Sequence, residues 1–412
     1  MSKRASTEYV VGIDVGTTKV SALIGERQAD NSLRLVGFGQ GPSAGGLKKG
    51  VVVNIESTVA AIGRAVEAAE LMANCRVRSA QVTITGSHVA SRNSVGVVPI
   101  RHREVMPRDV DAVIEAASAV AISADQQILH VLAQEFVVDG QEGIQDPVGM
   151  NAVRLEAKVH IITGAVSPIQ NLYKCVERCG LSVEKLVLAQ VASAEAVLLH
   201  DERELGVCVV DIGGGTSDIA VFKADAIRHT AVLPIGGDLV TSDISVALRT
   251  PAHHAEAIKK QYGCARPEAV VGDAPIDVPT VGDSPARSFS RQTLADVIRP
   301  RLAELLRYVR KELHRADAYD LIAGGVVLTG GVAQTPGLVE LAQDIFEMPV
   351  RVGVPQGLQG AEEVLRDPGN AAGAGLLLYA LGQQPRRGRT TGAVDGMQGW
   401  AERTRSWIAG HL

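Results

Sequence analysis

The sequence has few aromatic residues and no long apolar run. Of its 412 residues, 2 are Trp, 6 are Tyr and 5 are Phe, so the core must be built from Val, Ile, Leu and Ala. No stretch reaches the roughly 18 to 20 apolar residues that span a bilayer, and the first residues lack the apolar centre of a secretory signal. The sequence therefore predicts a globular protein that stays inside the cell.

Cysteine pairs and surplus positive charge are also missing. The 5 cysteines include no CxxC pair, which argues against a zinc site and is typical of reduced thiols in a cytosolic protein. Lys plus Arg number 41 and Asp plus Glu number 46, a net charge of −5, so nothing favours a dedicated nucleic-acid binder. With 46% hydrophobic residues the chain can bury a sizeable core, and its length of 412 residues indicates two or three domains.

Two similar strand-turn-strand units lie almost two hundred residues apart. The first runs from Tyr9 to Gly25 around Gly16-Thr17-Thr18, and the second covers Gly206 to Phe222. In both units a short apolar, β-branched strand ends on an Asp and a Gly-rich turn follows. Two copies of one hairpin indicate a duplicated fold.

Between them the pattern of elements changes. Residues 87–162 contain an apolar strand, a helix that begins near Pro107 and two further strands, which indicates a compact inserted module. Later, residues 293–315 carry one apolar helical stripe, which Pro300 should kink or restart. The Gly- and Arg-rich residues 382–396 have the composition of a flexible linker.

The two hairpin turns carry the chemistry of a polyphosphate site. An Asp at the end of a buried strand can hold Mg²⁺, usually through water, while backbone N–H groups, hydroxyls and a Lys take the phosphate oxygens. We expect Asp14 and Asp211 to be the metal residues, with Asp211 also catalytic. The phosphate-binding residues would be Asp14, Gly16, Thr17, Thr18, Lys19, Asp211, Gly213, Gly214, Gly215 and Thr216.

A third Gly-rich turn completes the pattern. The strand Val326-Val327-Leu328 leads into Gly330, Gly331 and Val332, and adjacent glycines leave room for a nucleoside against the backbone. In this order the three turns resemble the phosphate 1, phosphate 2 and adenosine motifs of the actin-like ATPase superfamily. The resemblance implies that Gly236 and Gly237 lie near the nucleotide and that Glu256 and Lys259 reach the ribose and adenine.

Within that superfamily the chain resembles the FtsA family of bacterial cell-division proteins over nearly its whole length, in the stretches ERCGL, DERELGVCVVDIGGGTSDIAVF, VTSDI, AEAIKKQYGCA and RQTLADVIRPR. The resemblance implies an α/β actin-like two-lobed ATPase fold with an inserted strand-helix-strand-strand (SHS2-type) subdomain and a C-terminal amphipathic helix. It also implies binding of ATP with Mg²⁺, polymerisation, attachment of the tubulin-like FtsZ ring to the inner membrane at the septum, and recruitment of later division proteins.

The expected domains follow from this resemblance. They are first-lobe segments at 1–86 and 163–205, the inserted subdomain at 87–162, a second lobe at 206–381 with a small partner-binding subdomain at about 227–310, a linker at 382–396 and a helix at 397–412.

Hydrolysis is a separate question from binding. In members of the superfamily that hydrolyse ATP well, a Gln or Glu positions the attacking water, and Gln190 is the candidate here. Helix packing explains the small residues around it equally well. The sequence therefore predicts nucleotide binding with at most slow or regulatory ATPase activity.

Both tryptophans lie in the last thirteen residues. As a helix, this segment brings Trp400 and Trp407 together, with Arg403 and Arg405 at the edges of the apolar arc. From Arg386 onward there are five Arg against Asp395 and Glu402, which favours a helix lying in the interface of an anionic membrane over one docked on the protein. The membrane residues would be Met397, Trp400, Arg403, Arg405, Trp407, Ile408 and Leu412.

The resemblance also implies a surface for the FtsZ tail. The matching residues are Arg287, Arg301 and Glu304, with Arg291 and Arg299 adding positive charge for an acidic, partly apolar peptide. An ordinary solvated helix face is the competing interpretation.

Two alternatives stay open. One is the actin-like pilus-assembly family, which shares the inserted module but lacks the terminal helix. The other is a chaperone or small-molecule kinase of the same fold. A chaperone would need a substrate domain after the adenosine motif, where only about seventy-five residues remain. A kinase would need a catalytic Asp that the sequence does not identify.

Overall fold

A computed structural model describes residues 8–270, 275–280 and 285–382 of the chain. The membrane helix expected at 397–412 and, apart from Gly382, the linker before it lie outside these residues. Two α/β bodies and one smaller module make up the described part.

The first body is built on a six-stranded sheet in the order β11-β6-β1-β2-β3-β19. Its strands are β1 (Tyr9–Val15), β2 (Lys19–Arg27), β3 (Leu33–Pro42), β6 (Ser79–Ile84), β11 (Ser182–Leu188) and β19 (Leu358–Gln359). The short strands β4 (Leu47–Lys48) and β5 (Val51–Val52) pair beside it. Its helices are α1 (Ile55–Ala73), α3 (Val166–Glu177), α4 (Ala189–Val197) and α11 (Ala371–Gly382).

The second body has a five-stranded sheet in the order β14-β13-β12-β17-β18. Its strands are β12 (Val207–Ile212), β13 (Ser217–Lys223), β14 (Ala226–Leu233), β17 (Val326–Thr329) and β18 (Val350–Val352), with the separate hairpin β15 (Pro275–Val278) and β16 (Arg287–Ser290). Its helices are α5 (His200–Leu205), α6 (Gly237–Leu248), α7 (Ala252–Tyr262), α8 (Arg291–Arg315) and α9 (Leu338–Phe346). The short helix α10 (Glu362–Leu365) packs on the core of the first body instead.

The two hairpins occupy equivalent places in the two sheets. The β1–β2 hairpin is antiparallel and β6 runs parallel to β1. In the second sheet β12–β13 is antiparallel and β17 runs parallel to β12. Parallel neighbours deliver their turns to one edge of a sheet, so each hairpin turn lies beside the end of the next parallel strand.

Helix α8 differs from its sequence-based expectation at Pro300. It runs unbroken from Arg291 to Arg315 and contains Pro300. The Ser290 side chain caps its start by accepting a hydrogen bond from the Thr293 N–H, and the buried stripe from Leu294 to Leu313 continues through the proline. Tertiary packing of that stripe outweighs the local preference of proline. Strand β11 ends at Leu188, and helix α4 follows at once from Ala189 to Val197.

The last described residues return to the first body. Strand β19 pairs in parallel with β3, although the domain bounds expected from the sequence put residues 206–381 in the second lobe. Helix α11 then packs on α4 and on the first sheet. The two helices cross closely: a Cβ on Gly375 would come within 1.7 Å of the Ala192 carbonyl oxygen. Small residues are therefore required where these helices meet.

The inserted module has the strand-helix-strand-strand order that the sequence predicts, with one additional short strand between the last two. It consists of β7 (Val89–Pro99), α2 (Pro107–Ser118), β8 (Gln126–Val138), β9 (Gln141–Ile144) and β10 (Arg154–Ala165). Its sheet has the order β7-β10-β8-β9, and its own apolar core includes Leu155, Val159 and Ile161.

The module covers the edge strand β14 of the second sheet. Ser91 Oγ donates to the Thr230 carbonyl (2.7 Å), and Gln134 Nε2 donates to the Ile227 carbonyl (2.7 Å). His160 lies between Asn93 Oδ1 (2.7 Å) and Thr230 Oγ1 (2.9 Å). A buried polar seam thus joins the module to the second body.

Candidate functional site

Three turns meet where the two sheets face each other. They comprise residues 14–18 at the end of β1, residues 213–216 after β12 and residues 330–332 after β17, and we call them the turn cluster. A Cβ on Gly214 would come within 1.8 Å of Thr18 Oγ1, and one on Gly215 within 2.5 Å of Thr17 Oγ1. Only residues without side chains allow this approach, so the two hairpin turns are in direct contact.

Two aspartates end the buried strands that lead into this cluster. Asp14 Oδ1 accepts a hydrogen bond from Thr83 Oγ1 (2.8 Å), and Asp211 Oδ2 accepts one from Ser193 Oγ (2.5 Å). Burial raises the pKa of Asp14 above its usual range, against the opposing effects of Thr83 and Lys19. Burial and the charge of Asp14 raise the pKa of Asp211 to about 6, although the Ser193 hydrogen bond lowers it.

A third carboxyl group, Asp218, lies behind the other two. It is 4% exposed and accepts hydrogen bonds from Thr85 Oγ1 and, at 3.1 Å, from Thr216 Oγ1. Burial, together with the charges of Asp211 and Asp14, raises its pKa to about 7. Three neighbouring carboxyl groups therefore share a region with too little positive charge to keep all of them ionised.

Lys19 acts on Asp14 and Asp211 through its charge, and it also makes a hydrogen bond outside the turn cluster. Its Nζ donates to Asn370 Oδ1 (3.0 Å), just before α11. Lys19 thereby joins the first turn to the residues that follow the second body.

The turn at residues 330–332 packs directly against the end of β12, which leads into the turn at residues 213–216. Gly330 has φ +83°, and a Cβ there would come within 2.3 Å of Asp211 Oδ1, so this position requires glycine on both grounds. At Gly331 an added Cβ would meet no atom within 4 Å. The open side of the turn cluster is therefore at Gly331. A Cβ on Gly237 would come within 2.8 Å of Val332 Cγ2, so Val332 lies against the start of α6.

The residues expected near a nucleoside form one hydrogen-bonded group. Lys259 Nζ contacts Glu256 Oε2 (2.6 Å) and donates to the Gly237 carbonyl (3.1 Å) and Thr241 Oγ1 (2.8 Å). Burial raises the pKa of Glu256, but the charge of Lys259 and the hydrogen bonds from Lys259 and Thr241 outweigh it and lower that pKa overall. Glu256 and Lys259 therefore satisfy each other.

Gln190 lies on α4 and is fully buried. Its Nε2 donates to the Ala231 carbonyl (3.2 Å), while its Oε1 has no partner among the described residues. Ser193, one helical turn later, is the residue of α4 that contacts Asp211.

Sequence reasoning missed several members of the site. Asp218 stands at the end of the DIGGGTSD stretch and could have been selected with it. Thr83 and Thr85 are two residues apart on β6 and its end, a spacing that puts both on one face. Ser193 gave no signal, because its role depends on how α4 packs.

The residues expected to bind a partner peptide lie on a separate face. A pocket of about 140 Å³ opens between α6 and α8, and we call it the α6/α8 pocket. It is lined by Ile235, Gly236, Leu239, Arg301, Glu304, Leu305 and Tyr308. Arg301 and Glu304 thus share this pocket.

The other basic residues expected there are placed differently. Arg287 lies over the Phe289 ring, 5.1 Å from its centroid. Arg299 Nη1 pairs with Glu268 Oε1 (2.7 Å). Arg291 has a buried Nε without a partner among the described residues.

Arg301 is already paired within the chain. Its Nε and Nη2 donate to the two carboxylate oxygens of Asp243 (2.6 and 3.1 Å), and its Nη1 donates to Glu304. The hydrogen bond and charge of Asp243, with Glu304, raise the pKa of the Arg301 guanidinium against the opposing effect of burial.

Two family models match the chain. The model described as "Cell division protein FtsA" matches residues 208–375, and the one described as "SHS2 domain inserted in FTSA" matches residues 86–163. The FtsA of Pseudomonas aeruginosa is 56% identical over 384 residues, covering 93% of this chain and 92% of that protein.

This chain belongs to the FtsA family of cell-division proteins. The FtsA of Escherichia coli K12 is 44% identical and covers 99% of both chains, and that of Bacillus subtilis is 38% identical over 94% of this chain and 87% of that protein. The family inferred from the sequence motifs is confirmed.

Solved structures confirm the actin-like fold. The PilM-PilN type IV pilus biogenesis complex aligns with a TM-score of 0.66 at 18% identity, over 91% of this chain and 99% of that one. MreB5 of Spiroplasma citri bound to ADP aligns with a TM-score of 0.55 at 14% identity, over 90% and 96%. At these identities the likeness establishes the fold of this FtsA-family chain. Among the described residues, no helix is long and apolar enough to cross a bilayer.

Proposed function

We propose that this chain is an ATP-binding, polymerising division protein that attaches the FtsZ ring to the inner membrane and recruits later division proteins at the septum. The proposal of nucleotide binding rests on the turn cluster, where three carboxyl groups lie beside two Gly/Thr turns that contact each other. Family membership supports the role in division.

The donor set fits ATP with Mg²⁺. Asp14 and Asp211 offer carboxylate oxygens, the hard ligands that Mg²⁺ prefers, and the raised pKa of Asp211 marks a place where added positive charge is favourable. The backbone N–H groups of the two turns, the hydroxyls of Thr17 and Thr18, and Lys19 would hold phosphate oxygens. When bound, Mg²⁺ would neutralise phosphate charge. The open space at Gly331 suits the nucleoside, beside Gly236, Gly237, Glu256 and Lys259.

We assign the positioning of an attacking water to Gln190. Its buried amide oxygen has no partner in the part of the chain that the structure describes, and a buried acceptor without a donor is costly unless a water or ligand satisfies it. The amide nitrogen is already fixed on the Ala231 carbonyl, so the oxygen is held in one orientation. The hydrolysis proposed here is slow or regulatory.

The α6/α8 pocket would receive the FtsZ tail. Its walls combine the apolar side chains of Leu239, Leu305 and Tyr308 with Arg301 and Glu304, a combination that suits an acidic, partly apolar peptide. Arg287 lies on the same subdomain with an exposed side chain. Charge reversal at Arg301 should weaken tail binding without unfolding the chain.

Attachment to the membrane would come from residues 397–412. One short interfacial helix binds reversibly, and a polymer carrying many copies binds firmly because the affinities multiply. Self-association and membrane attachment therefore form one mechanism.

Co-sedimentation with anionic liposomes tests the whole proposal. The full chain is mixed with liposomes, with and without ATP and Mg²⁺, and with a peptide of the FtsZ tail. We expect ATP to increase the pelleted fraction and the peptide to pellet with it. A chain that stays in the supernatant under all conditions contradicts membrane attachment, and absence of the peptide from the pellet contradicts tethering.

A further inference from the structure

The α6/α8 pocket and the turn cluster share a wall. The backbone of Gly236 lines the pocket, and a Cβ on this residue would come within 2.6 Å of the carbonyl oxygens of both Gly213 and Gly214. Gly236 has φ −167°, extended backbone that any residue adopts, so only the close contact requires glycine. One residue thus separates the two sites.

Helix α6 is anchored to the turn cluster at its first residues. The Gly237 N–H donates to the Gly213 carbonyl (2.9 Å), and the Asp238 N–H donates to the Gly214 carbonyl (2.8 Å). Thr18 Oγ1 reaches Asp238 Oδ1 at 3.4 Å. The position of the second turn therefore sets the position of the start of α6.

The same helix holds Arg301 one and a half turns later. Asp243 takes two of the guanidinium donors of Arg301, and Glu304 takes a third. A peptide carboxylate that binds Arg301 in the planar, two-bond geometry must compete with Asp243 for these donors. The chain therefore carries an internal competitor at the position where an acidic peptide would bind.

We infer that α6 couples the two sites: Asp243 withholds Arg301 from an acidic peptide, and the contacts of α6 with the Gly213–Gly214 turn make release of Arg301 depend on the bound nucleotide. This inference rests on the proposed function, because the peptide is the FtsZ tail assigned to this pocket. A peptide that displaces Asp243 removes one restraint on α6, and a phosphate that orders the Gly213–Gly214 turn fixes the other end. Linkage requires each ligand to change the affinity of the other by the same factor.

The experiment measures peptide affinity by fluorescence anisotropy with the full chain, without nucleotide, with ADP and with a non-hydrolysable ATP analogue. We expect the peptide Kd to differ at least about 5-fold between two of these states, and the nucleotide Kd to change by the same factor when peptide is saturating. Asp243→Asn keeps the shape and removes the competing charge, so it should tighten peptide binding several-fold in the nucleotide-free chain.

Gly236→Ala tests the shared wall. The added methyl group displaces the turn at Gly213 and Gly214, so the nucleotide dependence of peptide binding, measured at nucleotide concentrations that saturate the variant, should fall to less than 2-fold. Gly63→Ala is the matched control for Gly236→Ala, because a Cβ at Gly63 would meet no described atom within 4 Å. Asp201→Asn, which removes an exposed carboxylate elsewhere, is the matched control for Asp243→Asn. If Gly236→Ala does not fold, the peptide affinity of Asp243→Asn tests the coupling instead.

The outcomes separate the two proposals. Peptide binding that is the same in all nucleotide states, or that Asp243→Asn leaves unchanged or weakens, overturns the coupling and leaves the tail site intact. Absence of peptide binding in every state overturns the tail site itself.

Discussion

Ser193 Oγ lies 2.5 Å from Asp211 Oδ2, so the helix between the sheets fixes the carboxylate that is the proposed magnesium residue. Asp211 ends β12 in the second sheet, while Ser193 belongs to α4, which packs in the core of the first body. The proposed metal site is thus assembled only when both bodies are in place.

Ser193→Ala should weaken Mg²⁺-dependent nucleotide binding. Loss of one hydrogen bond to a charged group costs about 1.5–3 kcal/mol, which corresponds to roughly 10- to 100-fold in Kd. Titration of a fluorescent ATP analogue with and without Mg²⁺ measures this. Ser182→Ala removes an exposed serine hydrogen bond elsewhere and should leave the Kd unchanged. Equal affinities for both variants would show that Asp211 needs no support from α4.

Gln190→Ala should separate hydrolysis from binding. If the amide oxygen orients a water, turnover falls about 10-fold or more while the nucleotide Kd stays within 2-fold. Single-turnover phosphate release and the Kd are measured on the same preparation. A purely structural Gln190 would instead lower thermal stability and leave the turnover of the folded fraction unchanged.

The polar seam between the module and β14 should weaken in acid. Burial, with a smaller contribution from His229, lowers the pKa of His160 to about 3, well below the value of an exposed histidine. Above pH 6.5 His160 is neutral in both folded and unfolded chains. As the pH falls below 6.5 the unfolded chain takes up a proton that the folded chain refuses, so the free energy of unfolding falls.

For one such histidine the loss between pH 6.5 and pH 5 is ~1.6 kcal/mol. Denaturation in urea at both pH values measures it, and His160→Gln should reduce the difference. His130 is also buried, with its pKa lowered to about 3 by burial and by the charges of Lys185 and His160, so part of the pH dependence should remain. His102→Gln, at an exposed position, should retain all of it. An unchanged pH dependence in His160→Gln would contradict the assignment.

Gly375→Ala should destabilise the chain by about 1–3 kcal/mol, because the methyl group would overlap the Ala192 carbonyl and push α11 away from α4. Urea denaturation gives the value. Gly63→Ala also lies in a helix but meets open space, and should stabilise by about 0.5–1 kcal/mol. The same result for both substitutions would rule out the close helix crossing.

Deleting residues 397–412 should release the protein from anionic liposomes, with the pelleted fraction falling about 10-fold. The double substitution Trp400→Ala with Trp407→Ala should have nearly the same effect, since aromatic rings supply most of the interfacial burial. A truncated chain that still pellets would locate the membrane contact elsewhere.

Local patterns predicted the parts of the fold that depend on local sequence. The two hairpins and the strand-helix-strand-strand order of the module each follow from hydrophobic period and turn residues. Asp14 and Asp211 could be selected because each ends an apolar strand before a Gly-rich turn.

Contacts across long stretches of sequence could not be predicted in this way. The pairing of Arg301 with Asp243 could not be predicted, because Asp243 lies 58 positions away on another helix. Pro300 read as a break because the support for α8 comes from the core it packs on. Ser193 and Gly375 have no distinguishing signal in the sequence. Their importance comes from contacts that folding creates, with Asp211 and Ala192 respectively.

The cover that the inserted module places over β14 also limits how copies of this chain can associate. An exposed edge strand offers unpaired backbone groups to any other strand, and proteins that leave such edges open risk irreversible sheet extension. Here side chains of the module occupy backbone acceptors of β14. The filament proposed for this protein would therefore grow through other surfaces, and its subunits would exchange without breaking a continuous sheet.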